Sequence, residues 1–258
     1  MKSVPGSTPT YLRRVSAVES RLIGEDLRKF PYSLQFVRTL ALEFISRVTI
    51  FVGENGSGKS TLLEAIADLC GLPVRGGGKT ELPDLYAPDT DTGLSRVLRP
   101  SFAMRPHDGW FFRAEFQAQL ASLLEDREKD PDFWANPYAN YGGTSLHKRS
   151  HGEAFLGILL NRVHDGIVLL DEPESALSPE RQLTLLTRIY DLAHGGAQFI
   201  IATHSPLLMT YPGATIRSFD HPDLPIVRLE DTSHYQVTRS ILANPSHFWQ
   251  RIAREKDV

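Results

Sequence analysis

Gly53-Glu-Asn-Gly-Ser-Gly-Lys-Ser-Thr61 decides how this chain is read. The stretch satisfies G-x-x-x-x-G-K-[ST], with Gly53, Gly58, Lys59 and Ser60 in the fixed positions. A short pattern means little without its setting, and here both flanks supply one. Val48-Thr-Ile-Phe-Val52 before it is a β-rich run of the kind that forms a buried strand. Leu62, Leu63, Ala65, Ile66 and Leu69 after it recur at helical spacing. The predicted strand–loop–helix unit points backbone N–H groups at a phosphate chain, at the positive end of the helix. Gly53, Asn55, Gly56, Ser57, Gly58, Lys59, Ser60 and Thr61 are therefore the candidate binding residues. Lys59 can reach the β- and γ-phosphates, and Ser60 can offer an oxygen to Mg²⁺.

Chemistry at such a loop needs a metal organiser and a group that orients water. Ile167-Val-Leu-Leu170 is an apolar run ending in Asp171-Glu172-Pro173, which supplies both at the end of a predicted strand. Asp171 is the candidate second holder of Mg²⁺, through water, and Glu172 the candidate general base. Gln198 to Ala202 is another short apolar strand, and it ends at Thr203-His204. Further upstream, Ser150-His-Gly-Glu153 opens a helix carrying Ala154, Phe155, Ile158 and Leu159 on one face. Ser150 suits an N-cap, and Glu153 stands three residues on, the spacing of a capping box.

With these pieces in this order, the sequence resembles the ABC-type ATPases. The likeness is to their soluble branch of repair, chromosome-maintenance and RecF-like proteins and small bacterial ATPases. It is motif-specific over about 53–70 and 146–210. The resemblance makes 53–61 the Walker A loop, 167–172 the Walker B strand, Ser175-Ala-Leu-Ser178 the D-loop and His204 the switch histidine. It makes Ser150, Gly152 and Glu153 the signature motif, which in the family binds ATP held by the opposite subunit. Arg149 stands where leucine is usual, and His151 replaces the first glycine. The family's Q-loop glutamine has no clear counterpart, since Gln117 and Gln119 fall in a predicted helix. The resemblance implies ATP and Mg²⁺ as ligands and an ATP-dependent head-to-tail homodimer. Lys59, Glu172 and His204 would then be catalytic.

The remaining sequence frames an α/β P-loop NTPase with an ABC-ATPase-like mixed sheet. A single domain over 1–258 is expected, with an insert region at 71–149 made of a flexible excursion and a helical subdomain. Tyr32 to Phe44 alternates with period two, predicting antiparallel β structure that leads into the Val48 strand. Residues 71–106 hold Gly76-Gly-Gly78, prolines and aspartates, and read as a surface excursion. Trp110, Phe111 and Phe112 read as a strand, 214–219 and 226–229 as a closing hairpin, and 235–252 as terminal helices broken near Pro245.

Composition narrows the classes. The net charge of −3 gives no support to a nucleic-acid partner, although a local basic groove is compatible with it. Cys70 is the one cysteine, so no intrachain disulfide can form, which suits a cytoplasmic protein. No apolar run approaches the length of a membrane span. The leading expectation is a cytoplasmic ATPase that dimerises on ATP and works on an unidentified protein partner or effector. A transporter's ATP-binding subunit and a nucleic-acid-processing or defence ATPase are the alternatives, and a membrane partner ranks lower. No Asn-Lys-x-Asp motif occurs, which counts against a GTPase.

Overall fold

The computed structural model describes residues 11–79, 93–113, 127–130, 136, 138 and 151–256. Its elements in chain order are β1 (Leu12–Ala17), α1 (Glu19–Leu22), β2 (Ala41–Glu43), β3 (Val48–Val52), α2 (Lys59–Cys70), β4 (Gly77–Gly78), β5 (Leu98–Phe102) and β6 (Gly109–Phe112). There follow α3 (His151–Arg162), β7 (Ile167–Asp171), α4 (Pro179–Gly195), β8 (Gln198–Ala202), α5 (Pro206–Met209), β9 (Thr215–Ser218), β10 (Ile226–Val227), α6 (Ser233–Ala243) and α7 (Pro245–Lys256).

A seven-stranded sheet runs β10-β9-β3-β8-β7-β6-β4. Its five inner strands are parallel, and β10 and β4 close the edges antiparallel. Both faces of this sheet are covered, so its strands read as unbroken apolar runs in the sequence. Alternate residues go opposite ways. Ile50, Trp110, Val168, Leu170 and Phe199 pack with α3 and α4 through Phe155, Ile158, Leu185 and Ile189. Phe51, Phe111, Leu169 and Ile200 face α2 and a second sheet, meeting Leu62, Leu63, Ile66, Leu12 and Val15.

That second sheet is antiparallel, in the order β2-β1-β5. Gln198 pins it to the main one. Its side chain is fully buried, its Oε1 accepts the Leu12 N–H at 2.8 Å and its Nε2 donates to the Leu12 carbonyl at 2.8 Å. The fold is thus a P-loop NTPase of mixed sheet type, with antiparallel structure beside the phosphate loop.

Two local expectations are corrected. Tyr32 to Phe44 is not one strand: residues 31–39 run through successive turns and only Ala41–Glu43 pairs. Pro31 has no N–H to give a ladder, and the donors of Ser33, Leu34, Val37 and Thr39 go to carbonyls three or four residues back. Phe36, Leu40, Leu42 and Phe44 are buried all the same, and adjacent Val37 with them, so their burial comes from packing of the turns rather than from a strand's alternation. Nor is 71–106 wholly a surface excursion. Leu94, Val97 and Leu98 are at most 1 % exposed, and β5 pairs with β1. The helical part of the predicted insert lies outside the described residues, as do Gln117 and Gln119.

Helix ends follow the sequence cues. Ser178 caps α4 by accepting the Arg181 N–H, Pro179 fills the first position, and Gly196 ends the helix at φ 122°.

Replacing Gln198 by Ala would strand both backbone groups of Leu12 in the core. Each orphaned group costs about 1–3 kcal/mol, so a loss of roughly 2–4 kcal/mol is expected from the urea midpoint of unfolding. A loss under about 0.5 kcal/mol would show that the clamp is dispensable.

Candidate functional site

The phosphate loop spans the end of β3 and the start of α2. Gly53 at φ 144° and Gly58 at φ 96° hold conformations that side chains resist. Space adds to this, because a Cβ on Gly58 would lie 2.8 Å from Phe36 Cε1, and one on Gly53 would lie 3.0 Å from Asp220 Oδ1. The turn at 31–39 therefore roofs the loop, and the end of β9 floors it. Asp220 Oδ1 also accepts the Glu54 N–H at 2.9 Å, fixing the loop's entry.

Lys59 is 4 % exposed, and its Nζ donates to the Gly53 and Glu54 carbonyls at 2.8 and 2.9 Å. Burial pushes its pKa down, opposed by Glu172, Asp220, Asp171 and Glu54. Ser57 Oγ is buried with no hydrogen-bond partner among the described residues. An unpaired hydroxyl inside a loop of N–H groups matches a phosphate oxygen.

Ser60 Oγ donates to Asp171 Oδ1 at 2.9 Å, joining the start of α2 to the end of β7. Asp171 Oδ2 lies 3.6 Å from Arg113 Nε, and Arg113 Nη1 is 2.7 Å from Glu64 Oε1. Burial raises the Asp171 carboxyl to about 6, against the pull of the Ser60 hydrogen bond and the Arg113 charge. The all-oxygen pair Ser60–Asp171 fits Mg²⁺. No group of three or more His, Cys, Asp or Glu among the described residues could form a cage, and Mg²⁺ usually keeps waters and substrate phosphates instead.

Glu172 follows at φ 47°, a left-handed conformation, with its N–H on the Ala202 carbonyl at 2.9 Å. Its half-exposed carboxylate Oε1 is 3.5 Å from His204 Nε2. His204 is held twice more: its N–H donates to Glu174 Oε1 at 2.5 Å, and its Nδ1 is 2.8 Å from His234 Nε2. Lys59, Ser60, Asp171, Glu172 and His204 thus stand on the ends of β3, β7 and β8 or just beyond them, which are adjacent strands.

Of the proposed signature residues, Ser150 lies outside the described residues. Gly152 packs so closely that a Cβ would run into the Ala176 carbonyl and Arg181. Glu153 Oε1 accepts from Arg181 Nη2 at 2.7 Å, so α3 is braced against the 175–178 turn and the start of α4.

Sequence reasoning missed five neighbours of this site. Glu64 was legible, since it stands one helical turn beyond Ser60. Glu174 lies between Pro173 and the 175–178 segment and Arg113 directly after the Trp110–Phe112 strand, but their partners are set by the fold. Asp220 and His234 come from distant chain positions with no local signal.

Comparison with known proteins follows the same lines. A family model described as an AAA domain matches residues 21–90. Another AAA-domain model, whose description also names AbiEii toxin and Type IV TA system, matches 118–210. The hemin import ATP-binding protein HmuV of Pseudomonas aeruginosa is 33 % identical over 170 residues, 59 % of this chain and 64 % of that protein. The phosphate import ATP-binding protein PstB 1 of Vibrio cholerae is 30 % identical over 183 residues, 62 % of this chain and 67 % of that protein. This chain belongs to the ABC-type P-loop ATPases. A solved ATP-binding cassette of an ABC transporter in its ADP conformation aligns with a TM-score of 0.45 at 14 % identity, over 91 % of this chain and 96 % of that one. As an ABC-type ATPase, the chain is an ATP-binding and ATP-hydrolysing domain related to transporter ATPase subunits.

One expectation is overturned. Sequence reasoning ranked a membrane partner low; the relatives, which are import ATP-binding proteins, overturn that ranking. No helix among the described residues is long and apolar enough to cross a membrane.

The Asp171 carboxyl makes a pH prediction. Its folded value of about 6 exceeds the ordinary 3.8, so the folded state holds a proton that the unfolded chain releases between those pH values. Stability is therefore lost as pH rises through that window. Asp171→Asn should stabilise the protein in EDTA at pH 8 by about 1–3 kcal/mol, with little gain at pH 4. Equal gains at both pH values in thermal melts would assign the effect to packing instead.

Proposed function

We propose that this chain is the Mg²⁺-dependent ATP-hydrolysing subunit of an ABC-type assembly whose other component is a membrane-embedded partner. The observation that carries the reading is the convergence of the loop lysine, the Ser60–Asp171 pair and the Glu172–His204 pair at adjacent strand ends. In this reading 53–61 wraps the phosphates, with Lys59 countering their charge. Ser60 and Asp171 would hold Mg²⁺, which supplies charge neutralisation at the β- and γ-phosphates when bound. Glu172 orients water and takes its proton, and His204 Nε2 donates to the γ-phosphoryl group as charge develops.

The finer proposal is a head-to-tail homodimer, each ATP lying between 53–61 of one copy and Ser150, Gly152 and Glu153 of the other. Hydrolysis would open the seam and move the partner. The partner class is drawn from the import relatives. A second reading, a defence ATPase of the soluble branch, is favoured by the toxin-system wording of the model over 118–210. Co-fractionation with membranes supports the first reading, and growth arrest on expression from a non-membrane fraction supports the second.

Glu172→Gln should abolish turnover by about 10²-fold or more while keeping Mg-ATP binding. The same variant should double its solution mass with Mg-ATP and not with Mg-ADP. Hydrolysis at the wild-type rate would remove Glu172 from its role, and a monomer under saturating ATP would remove the homodimer.

A further inference from the structure

A second histidine touches the switch histidine from far along the chain. His234 sits in the first turn of α6, with its Nε2 2.8 Å from His204 Nδ1 and the rings 4.9 Å apart. Its position is firmly set. Thr232, 5 % exposed, caps the helix by accepting the Tyr235 N–H at 3.3 Å and donates to the Leu229 carbonyl at 2.7 Å. Gln236 donates to the Glu230 carbonyl at 3.0 Å, so the turn is tied on both sides of His234.

Proton bookkeeping on His204 follows from its neighbours. Its Nε2 is buried without a hydrogen-bond partner, and the Glu172 carboxylate 3.5 Å away is an electrostatic contact that favours a proton on that nitrogen. A neutral His204 then has a bare lone pair on Nδ1, which His234 Nε2–H satisfies. A doubly protonated His204 donates from Nδ1 instead, and a neutral His234 accepts. The reversed tautomer would aim a lone pair at the carboxylate. Burial, His204 and Lys59 push the His234 pKa down, against Asp220 and Glu54.

We propose that His234 is a positioning residue for hydrolysis: it occupies His204 Nδ1 and so holds the ring with Nε2–H toward Glu172 and the γ-phosphate. The proposal rests on the ATPase reading above for its catalytic consequence, but the ring's tautomer is independent of it. It also makes α6 part of the site's scaffold, because His234 moves only with α6.

The test compares full-length wild type with His234→Ala and His234→Gln, the latter retaining a side-chain donor and acceptor. In protein labelled with ¹⁵N-histidine, with signals assigned through His204→Gln, wild-type His204 should show protonated Nε2. His234→Ala should shift its ring nitrogens toward an averaged tautomer, and His234→Gln should restore part of the wild-type pattern. For turnover, His234→Ala should lower kcat about tenfold with KM within about twofold, the scale typical of a partner that orients a functional histidine. Thermal melts check that each variant folds. Unchanged His204 ring signals in a folded His234→Ala variant overturn the proposal, as does a wild-type kcat there. If wild type itself shows no ATPase activity, the ATPase reading fails, and the ring signals alone still decide whether His234 orients His204.

Discussion

Three parallel strands end level with one another, and the site depends on it. Phe51 of β3 is paired with Ala202 of β8, and Ala202 in turn with Asp171 of β7. Beyond the last pairs the ladder continues: the Thr203 N–H reaches the Phe51 carbonyl and the Glu172 N–H reaches the Ala202 carbonyl. Each chain therefore leaves the sheet at the same height, so the phosphate loop, the carboxylates and the histidine arrive together. The register is stiff because side chains alternate between two filled cores, and a slip by one residue would send every apolar group to the wrong face. This is the crevice at the carboxyl ends of an open α/β sheet.

Charge is the second organising constraint. Asp171, Glu172, Glu64 and Asp220 crowd around Lys59 and Arg113 at a partly buried site. The opposed shifts of Lys59 and Asp171 come mainly from lost solvation rather than from each other. A site of this make-up suits a polyanion with a bound cation, since one half of the ligand answers the lysine and the other answers the carboxylates. The bracing of Glu153 by Arg181 gives α3 a fixed attitude to the 175–178 turn, so both border the same edge of the molecule.

The central sheet was legible because its strands are short apolar runs punctuated by functional residues, and period-two burial on both faces leaves little ambiguity. The ends of α4 at Pro179 and Gly196 were legible for local reasons too, whereas the cap made by Ser178 came only with the structure. The segment 31–40 was not, since turn bonds and strand ladders can bury the same alternating residues. β1 and β5 escaped because neither reads as a regular strand by sequence: β1 carries a bulge between Leu12 and Arg14 and is fixed by pairing with both β2 and β5, while β5 pairs with β1 alone. Asp220 and His234 could not be found from sequence, because their roles come from which strand end or helix start the fold brings near. The low rank given to a membrane partner had a different cause. Partner class is written on surfaces that carry no motif, and the chemistry of the site is silent about them.

Glu172 holds a backbone conformation that suits glycine or asparagine better than glutamate, at a strain of roughly 1 kcal/mol. It is kept there by the Ala202 carbonyl ahead of it, by Pro173 behind it, and by the Ser175 N–H and hydroxyl on its own carbonyl. Directed evolution for heat resistance, run without any demand for activity, would therefore favour the loss of this side chain. Variants that emerged hardier would carry glycine or asparagine at this position and lack the Glu172 carboxylate.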